Sequence, residues 1–378
     1  MKINILQGAF LPVPPVRGGA IESAWQLLAE EFVKFGHVVD YYSRRCDDLK
    51  GDEFLNGVHH IRLKSTDAVK SPFFLKALEL PYVLRAKKVM QKADILVTHA
   101  FWAPILFHPY KYGKLYVHVG RYPKGQLNLY EKANRLQTPS QVIAEVCRNQ
   151  TTSQRHKVKA LPYPLPWDLT NKPEFHRKKN IILYAGRIHP EKGILELIEA
   201  WKNIHESLAK NYELRLIGPW KEKEGGAGKS FRDRIEQEIG HSRNKIKILD
   251  PIFDRKKLKS QIIESKFFIY PSKAERGETF GLSVLEAMSC GTVPIVSSLA
   301  CFKDFLEFPE HAYCIKPIEG KTFSKDIAKS ISQALSDDSS EIEIKSKACW
   351  HKAKQYEIAE VAKLYINDFQ SLLLETDS

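Results

Sequence analysis

Lys2-Ile3-Asn4-Ile5-Leu6 opens the chain, followed by a loop carrying Pro12, Pro14, Pro15, Gly18 and Gly19. Ile21, Trp25, Leu28 and Phe32 come next, and then Val38-Val39-Asp40-Tyr41-Tyr42. The first run is short, apolar and followed by turn residues, which is the pattern of a buried strand. From Ile21 the apolar residues recur at offsets of four, seven and eleven, one face of a helix. Gly36 is a stop signal for that helix, and Val38–Tyr42 suits a second strand. Strand, helix and strand in this order make a βαβ unit, whose crossover helix forces its two strands to run parallel.

Working outward, Asp94–Thr98 and Lys114–Val119 are further short buried-strand candidates. The proline-rich stretch Leu161–Pro173 reads as an interdomain linker. A second alternation follows it: strand Asn180–Tyr184, helix Ile194–Ile204, strands Leu214–Ile217, Lys245–Leu249 and Phe267–Tyr270, a helix opening at Gly281, and strand Thr292–Ser297. Glu357–Leu374 is a long helical pattern. The expectation is an α/β protein with two Rossmann-like, doubly wound parallel-sheet domains. Ligands of such sheets bind beyond the carboxyl ends of the strands, so two facing domains leave a ligand cleft between them.

The chain has 378 residues, enough for two cores of ordinary size, and 43% of them are apolar. No run approaches the ~18 uninterrupted apolar residues of a membrane helix. The first residues lack the apolar core and small-residue cleavage site of a signal peptide, so the expected location is the cytoplasm. Six cysteines occur without a C-x-x-C pair, which argues against a zinc ribbon or a disulfide framework. The net charge of +13 points to anionic partners without choosing among nucleic acid, nucleotide and membrane. Nucleic acid is not expected, because no compact basic run with interleaved aromatics and no basic recognition helix is present.

Three stretches carry candidate chemistry. Ala274–Met288 joins a strand to a helix, with Glu278 in the loop and Glu286 inside the helix. The unpaired amides near Gly281, Leu282 and Ser283 can hold a phosphate, and Glu286 can accept hydrogen bonds from ribose hydroxyls. By spacing alone the stretch reads equally as a capped helix with two incidental glutamates. In Ala185–Gly193, Arg187 and Lys192 can bracket a diphosphate and offset charge on a departing phosphate, or be cations of a solvated basic loop. His189, just before Pro190, reads as a loop residue. Gly18-Gly19 at the start of the first helix permits close backbone approach to a ligand, but this is not a G-x-G-x-x-G signature. Gly225–Ser230 ends like a P-loop, yet Lys223 stands where its first glycine should be, so it reads as a flexible surface loop. No D-x-D, H-E-x-x-H or G-x-S-x-G occurs. No metal and no cofactor are expected, with Arg187 and Lys192 supplying the positive charge.

Taken together, these stretches resemble the GT-B-fold retaining glycosyltransferases of glycosyltransferase family 4. The resemblance rests on Gly18-Gly19 with Gly36-His37-Val38-Val39, Gly186-Arg187 through Lys192-Gly193, Pro271-Ser272 through Glu286-Ala287-Met288 with its E-x7-E pair Glu278 and Glu286, and Gly291–Val296. It implies an acceptor-binding domain of residues 1–165 joined by a C-terminal helix, 355–378, and a donor-binding domain of residues 166–354. It also implies transfer of a hexose, best guessed as glucose from UDP-glucose, with retention at the anomeric carbon. The acceptor would be a saccharide or a lipid-linked molecule in polysaccharide or glycoconjugate synthesis. Arg187 and Lys192 would contact the diphosphate, Glu286 the ribose, Glu278 the sugar hydroxyls, and amides of Phe280, Gly281, Leu282 and Ser283 the phosphates. Gly18, Gly19, Gly186 and Gly218 would line the donor site, and His118, catalytic together with Glu278, Arg187 and Lys192, would lie beside the transferred sugar. Many relatives have a glycine after the strand matching Lys245–Leu249. Here Asp250-Pro251 stands instead, and the base-contacting loop is placed at Asp250–Phe253, with Ile252 in it.

An epimerase or hydrolase of the same fold, and a non-catalytic nucleic-acid- or nucleotide-sugar-binding protein, are the competing readings. Val69–Lys92 mixes Phe73, Phe74, Leu75, Leu78, Leu80, Tyr82, Val83 and Leu84 with six basic residues. Such a stretch can rest on an anionic membrane, giving peripheral contact with its inner face, or be a core-facing helix with a solvated basic face.

Overall fold

The computed structural model describes residues 1–16, 18–69, 71–169, 172–240, 242–317 and 322–375. The chain forms two compact units, Met1–Pro166 with Tyr356–Ser378, and Trp167–Gln355. Both are α/β units built on a largely parallel sheet, as the alternating pattern predicts.

In the first unit the strands are β1 (Lys2–Leu6), β2 (Val38–Arg44), β3 (Asp52–Leu55), β4 (Val58–Leu63), β5 (Ile95–Thr98), β6 (Lys114–His118), β7 (Arg135–Thr138) and β8 (Val158–Ala160). Their order is β3-β4-β2-β1-β5-β6-β7-β8. Only the β3–β4 pair is antiparallel. Its two strands are joined by Asn56-Gly57, both at positive φ (50° and 81°), the backbone a tight hairpin turn requires. The opening βαβ unit is present: β1 pairs with β2, and the helix Ala20–Lys34 connects them, burying Trp25, Leu28 and Phe32. Ile358–Leu374 packs on that helix, with the Trp25 and Tyr365 rings 5.2 Å apart and Phe32 and Phe369 5.7 Å apart. Each such buried aromatic contributes roughly 1.5–3 kcal/mol by leaving water, which ties the end of the chain to its beginning.

The second unit contains β9 (Lys179–Ala185), β10 (Glu213–Ile217), β11 (Ile246–Leu249), β12 (Ser265–Tyr270), β13 (Val293–Ser297) and β14 (Tyr313–Ile315). All pair in parallel in the order β11-β10-β9-β12-β13-β14. The central strands β9, β12 and β13 are buried over most of their length, as expected of a sheet covered on both faces. The strand order reverses between β9 and β12, the place where sheets of this kind take their ligands, outside the carboxyl ends of the strands. In the first sheet the corresponding reversal lies between β1 and β5.

The stretch Val69–Lys92 contains the helix Pro72–Val89, one face of which meets the core, as the core-facing reading expects. Tyr82, Val83 and Ala86 are fully buried, while Phe73, Phe74 and Leu84 are exposed. The helix is apolar on two faces, and only one of them meets the core. Gly225–Gly228 lies outside regular structure at the surface, as the loop reading expects. Backbone hydrogen bonds from Gly226 to Lys221, Ala227 to Ile188 and Gly228 to Trp220 tie that segment down, and a helix starts at Lys229.

Candidate functional site

The switch point of the second sheet gathers Arg187, Glu191, Lys192 and Glu278. β9 runs into Gly186-Arg187, and a short turn at Pro190–Lys192 precedes the helix Ile194–Lys202. The Arg187 guanidinium donates to Glu191 Oε1 (2.7 Å) and to the Gly225 carbonyl (3.0 Å), and it remains partly exposed. Lys192 lies beneath it, with a side chain only 4% exposed. Its ammonium pairs with Glu278 Oε1 and lies 5.4 Å from the centre of the Tyr270 ring. Tyr270, the last residue of β12, donates its hydroxyl to the same Glu278 oxygen at 2.7 Å. A cation on one strand–helix loop and a carboxylate on the next are thereby fixed against each other, with a phenol as brace. His189 accepts a long 3.5 Å contact from the Glu191 amide, which suits the loop residue the sequence suggests.

Backbone approach explains the glycines of this site. A Cβ on Gly218 would lie 1.7 Å from the Gly186 carbonyl oxygen, so the ends of β9 and β10 meet only without a side chain there. Gly193, at φ 70°, faces the Pro271 carbonyl so closely that a Cβ would lie 2.3 Å from it. Gly281 caps the helix Leu282–Ser289 at φ 89°, against the Phe302 ring. The cap conformation leaves the first amides of that helix without intrahelical partners, at the end of the helix that favours anions. Phe280 is buried against Phe305, while Leu282 and Ser283 are half-buried at the helix start.

Glu286 is inside that helix. Burial pushes its carboxyl up to about 7, opposed by the charge of Arg255. Arg255 opens the helix that follows Ile252 and Phe253, so the loop after β11 and the Glu286 carboxylate act on one another. Ile252 is half-buried and Phe253 is 63% exposed. Two sugar hydroxyls need an acceptor with free lone pairs; the Glu286 carbonyl accepts from Ser289 Oγ (2.7 Å), while its carboxylate has no hydrogen bond among the described residues.

Residues 167–350 match the family model described as glycosyl transferases group 1. The match spans just under half of the chain and contains every one of the second-unit residues above. No curated protein matches the chain in sequence. Solved structures do resemble it along its whole length. Sucrose-phosphate synthase from Thermosynechococcus elongatus aligns with a TM-score of 0.77 and 17% identity, over 98% of this chain and 99% of that one. Anabaena HepE in complex with UDP and glucose aligns at 0.74 and 16%, over 98% and 100%. The UDP-forming α,α-trehalose-phosphate synthase from Burkholderia xenovorans, in complex with glucose-6-phosphate, aligns at 0.75 and 11%, over 98% and 100%. The fold is that of the GT-B glycosyltransferases.

The first unit holds Gly18, Gly19 and His118; the other candidates, from Gly186 through Glu286, are in the second unit. Gly18 and Gly19 precede the first helix at φ 79° and 123°. His118 ends β6 and is 6% exposed. Gln137 Nε2 donates to the carbonyls of Thr138 (2.7 Å) and Leu161 (2.8 Å), so its Oε1 faces the ring and accepts from His118 Nδ1. His118 Nε2 then accepts from the Tyr163 hydroxyl at 2.8 Å. Burial lowers the imidazole to about 4, so it is neutral at physiological pH. The rings of His99 and Trp25 lie 5.0 Å and 5.5 Å from it. Gly120 is packed against this group, where a Cβ would lie 2.5 Å from His118 Nε2.

Several members of these clusters escape a reading of the sequence. Tyr270, Glu191 and the Gly225 carbonyl position the cations and Glu278, while Gln137 and Tyr163 set the tautomer of His118. Glu191 was visible as a carboxylate four residues after Arg187. Gln137 and Tyr163 lie 19 and 45 residues from His118, and no local pattern marks them.

Proposed function

We propose that the protein is a metal-independent, retaining glycosyltransferase that moves a hexose from a nucleotide diphosphate sugar, best guessed as UDP-glucose, to a saccharide or lipid-linked acceptor. The observation that carries this reading is the braced Lys192–Glu278 pair beside Arg187, at the switch point of a sheet whose residues match a glycosyltransferase family. Arg187 and Lys192 hold the diphosphate, each charged contact being worth roughly 1.5–3 kcal/mol. Amides from Phe280 to Ser283 support the phosphates, Glu286 accepts from the ribose hydroxyls, and Ile252 borders the base. Gly186 and Gly218 keep the donor floor clear of side chains. The likeness to HepE, solved with UDP and glucose, supports the choice of nucleotide and sugar.

In the reaction the bond from the anomeric carbon to the leaving phosphate oxygen breaks as the acceptor oxygen bonds to the same face of that carbon. The acceptor proton passes to the leaving phosphate, giving glycoside and nucleoside diphosphate. Arg187 and Lys192 stabilise the negative charge that grows on that phosphate. Glu278 orients the sugar through its hydroxyls. The first unit binds the acceptor, with Gly18, Gly19 and His118 on the side of the transferred sugar. His118 acts there as a neutral, oriented ring rather than as a base, since its low proton affinity leaves little driving force for proton abstraction.

A thermal-shift panel of UDP, GDP, ADP and their sugar conjugates, with and without EDTA, tests this. A ligand of the native state raises the melting temperature by mass action. The expected result is a shift with UDP and UDP-glucose, unchanged by EDTA and lost in Arg187→Ala and Glu286→Ala. No shift with any nucleotide overturns the proposal; a shift with nucleotides but no transfer or hydrolysis of any conjugate favours the non-catalytic reading.

A further inference from the structure

The helix Pro72–Val89 shows a second apolar face that no described residue of the first unit covers. Phe73, Ala77, Leu84 and Lys88 follow one another at offsets of four, eleven and fifteen, which places them on one stripe of the helix. Phe74, Pro81 and Arg85 form the adjoining stripe. All seven are exposed, Phe73 at 76%, Phe74 at 60% and Leu84 at 43%. The Phe73 and Phe74 rings meet edge to face, 5.8 Å between centres. The inner face is fully spent on the core through Tyr82, Val83 and Ala86, so folding of this unit gives no reason for the outer one.

Charge identifies the occupant. Within residues 69–92 the sequence has six basic residues and one acid, Glu79. Glu79 is turned inward, 6% exposed, where its carboxylate accepts from the amides of Phe101 (2.8 Å) and Trp102 (3.4 Å). The outer surface of the helix therefore presents lysine and arginine without a compensating carboxylate of its own. Two phenylalanines at one end and a cationic flank along the rest match a layer that is apolar inside and anionic at its surface. We propose that this face docks the protein onto an anionic lipid bilayer, with Phe73 and Phe74 entering the headgroup boundary and Arg85, Lys87 and Lys88 lying against the lipid phosphates. This docking does not depend on the transferase reading. If that reading holds, the first unit is brought to a surface where a lipid-linked acceptor is found.

Flotation of the full chain with vesicles tests the proposal. Vesicles of phosphatidylcholine with about one third phosphatidylglycerol are compared with phosphatidylcholine alone, at low and high salt. The expected result is binding to the anionic vesicles that falls at least about ten-fold on pure phosphatidylcholine, and likewise in Phe73→Ser/Phe74→Ser and in Lys87→Glu/Lys88→Glu. Both variants should keep the melting temperature and nucleotide response of the parent, since the substituted side chains are largely solvent-facing. Equal flotation of parent and phenylalanine variant overturns the proposal, as does equal binding to neutral vesicles. A parent that ignores vesicles but is a dimer by light scattering, and becomes a monomer in Phe73→Ser/Phe74→Ser, assigns the face to a second copy of the chain instead.

Discussion

The two sheets end in opposite kinds of chemistry. At the carboxyl ends of β9 and β12 the second unit concentrates formal charge: Arg187 on Glu191, and Lys192 on Glu278. At the end of β6 the first unit has a neutral aromatic cluster, His118 with Trp25, His99 and Tyr163. A diphosphate needs cations and amides, which hold it through charge. A sugar hydroxyl can be held by oriented neutral donors and acceptors as well as by carboxylates. The difference fits a division in which the second unit handles the donor and the first handles the acceptor side.

The contrast is broken most directly at Lys192. Lys192→Ala removes a cation from the diphosphate and leaves Glu278 with only the Tyr270 hydroxyl. Transfer, or donor hydrolysis in its place, should fall at least about 100-fold in kcat/KM, near 2.7 kcal/mol of transition-state stabilisation. A loss under ten-fold would place the diphosphate elsewhere.

A second lysine, at the other end of the same strand, sharpens the comparison. Lys178 precedes β9, and its ammonium, with three N–H groups, lies among four acceptors at 2.9–3.1 Å: the carbonyls of Ile263, Ser265 and Cys290 and Thr292 Oγ1. Lys178→Met should destabilise the fold by about 2–3 kcal/mol in denaturant titration by leaving those acceptors unpaired. Its nucleotide-induced shift in melting temperature should remain. Lys192→Ala leaves the buried Glu278 carboxylate without its cation and should lose stability as well, so the two lysines are told apart by the nucleotide response, which only Lys192→Ala should abolish.

The smallest expected effects have opposite signs with pH. Glu286, raised to about 7 by burial, holds its proton in the folded state over a range where the unfolded chain has lost it. Its contribution to stability is therefore full below the ordinary glutamate range and declines as pH rises toward 7. His118, lowered to about 4, resists protonation when folded, so its contribution is full above pH 6.5 and declines as pH falls toward 4. Melts at pH 5 and 8 should show Glu286→Gln gaining on the parent at pH 8 and His118→Asn gaining at pH 5, each by about 1–2 kcal/mol. Equal offsets at both pH values would mean that neither group is buried as described.

Legibility in the sequence followed the same division. Arg187, Lys192, Glu278 and the glycines beside them sit in two short strand–helix turns, with Glu286 in the helix that the second turn opens, so their residues share a single backbone path. The opening βαβ pattern likewise announced a parallel sheet through Ile21, Trp25, Leu28 and Phe32. The hairpin at Asn56-Gly57 carried a signal of its own that the strand pattern around it did not, since β3 alternates half-exposed residues at a sheet edge. For Pro72–Val89, composition showed apolar and basic residues together, but which apolar face met the core depended on where β4 and the Phe101–Trp102 turn lay.

By itself, then, the sequence determined the fold class, the order of its elements and the loops that carry charge, since these depend on periodicity and on residues adjacent in the chain. Tertiary structure alone decided that Tyr270 braces Glu278, that burial keeps His118 neutral while Gln137 and Tyr163 orient its ring, and that Phe73 and Phe74 face outward. Each of those depends on strands or helices far apart in sequence meeting at a particular register, and in the interior a shift of one residue would exchange a hydrogen bond for an unpaired buried group.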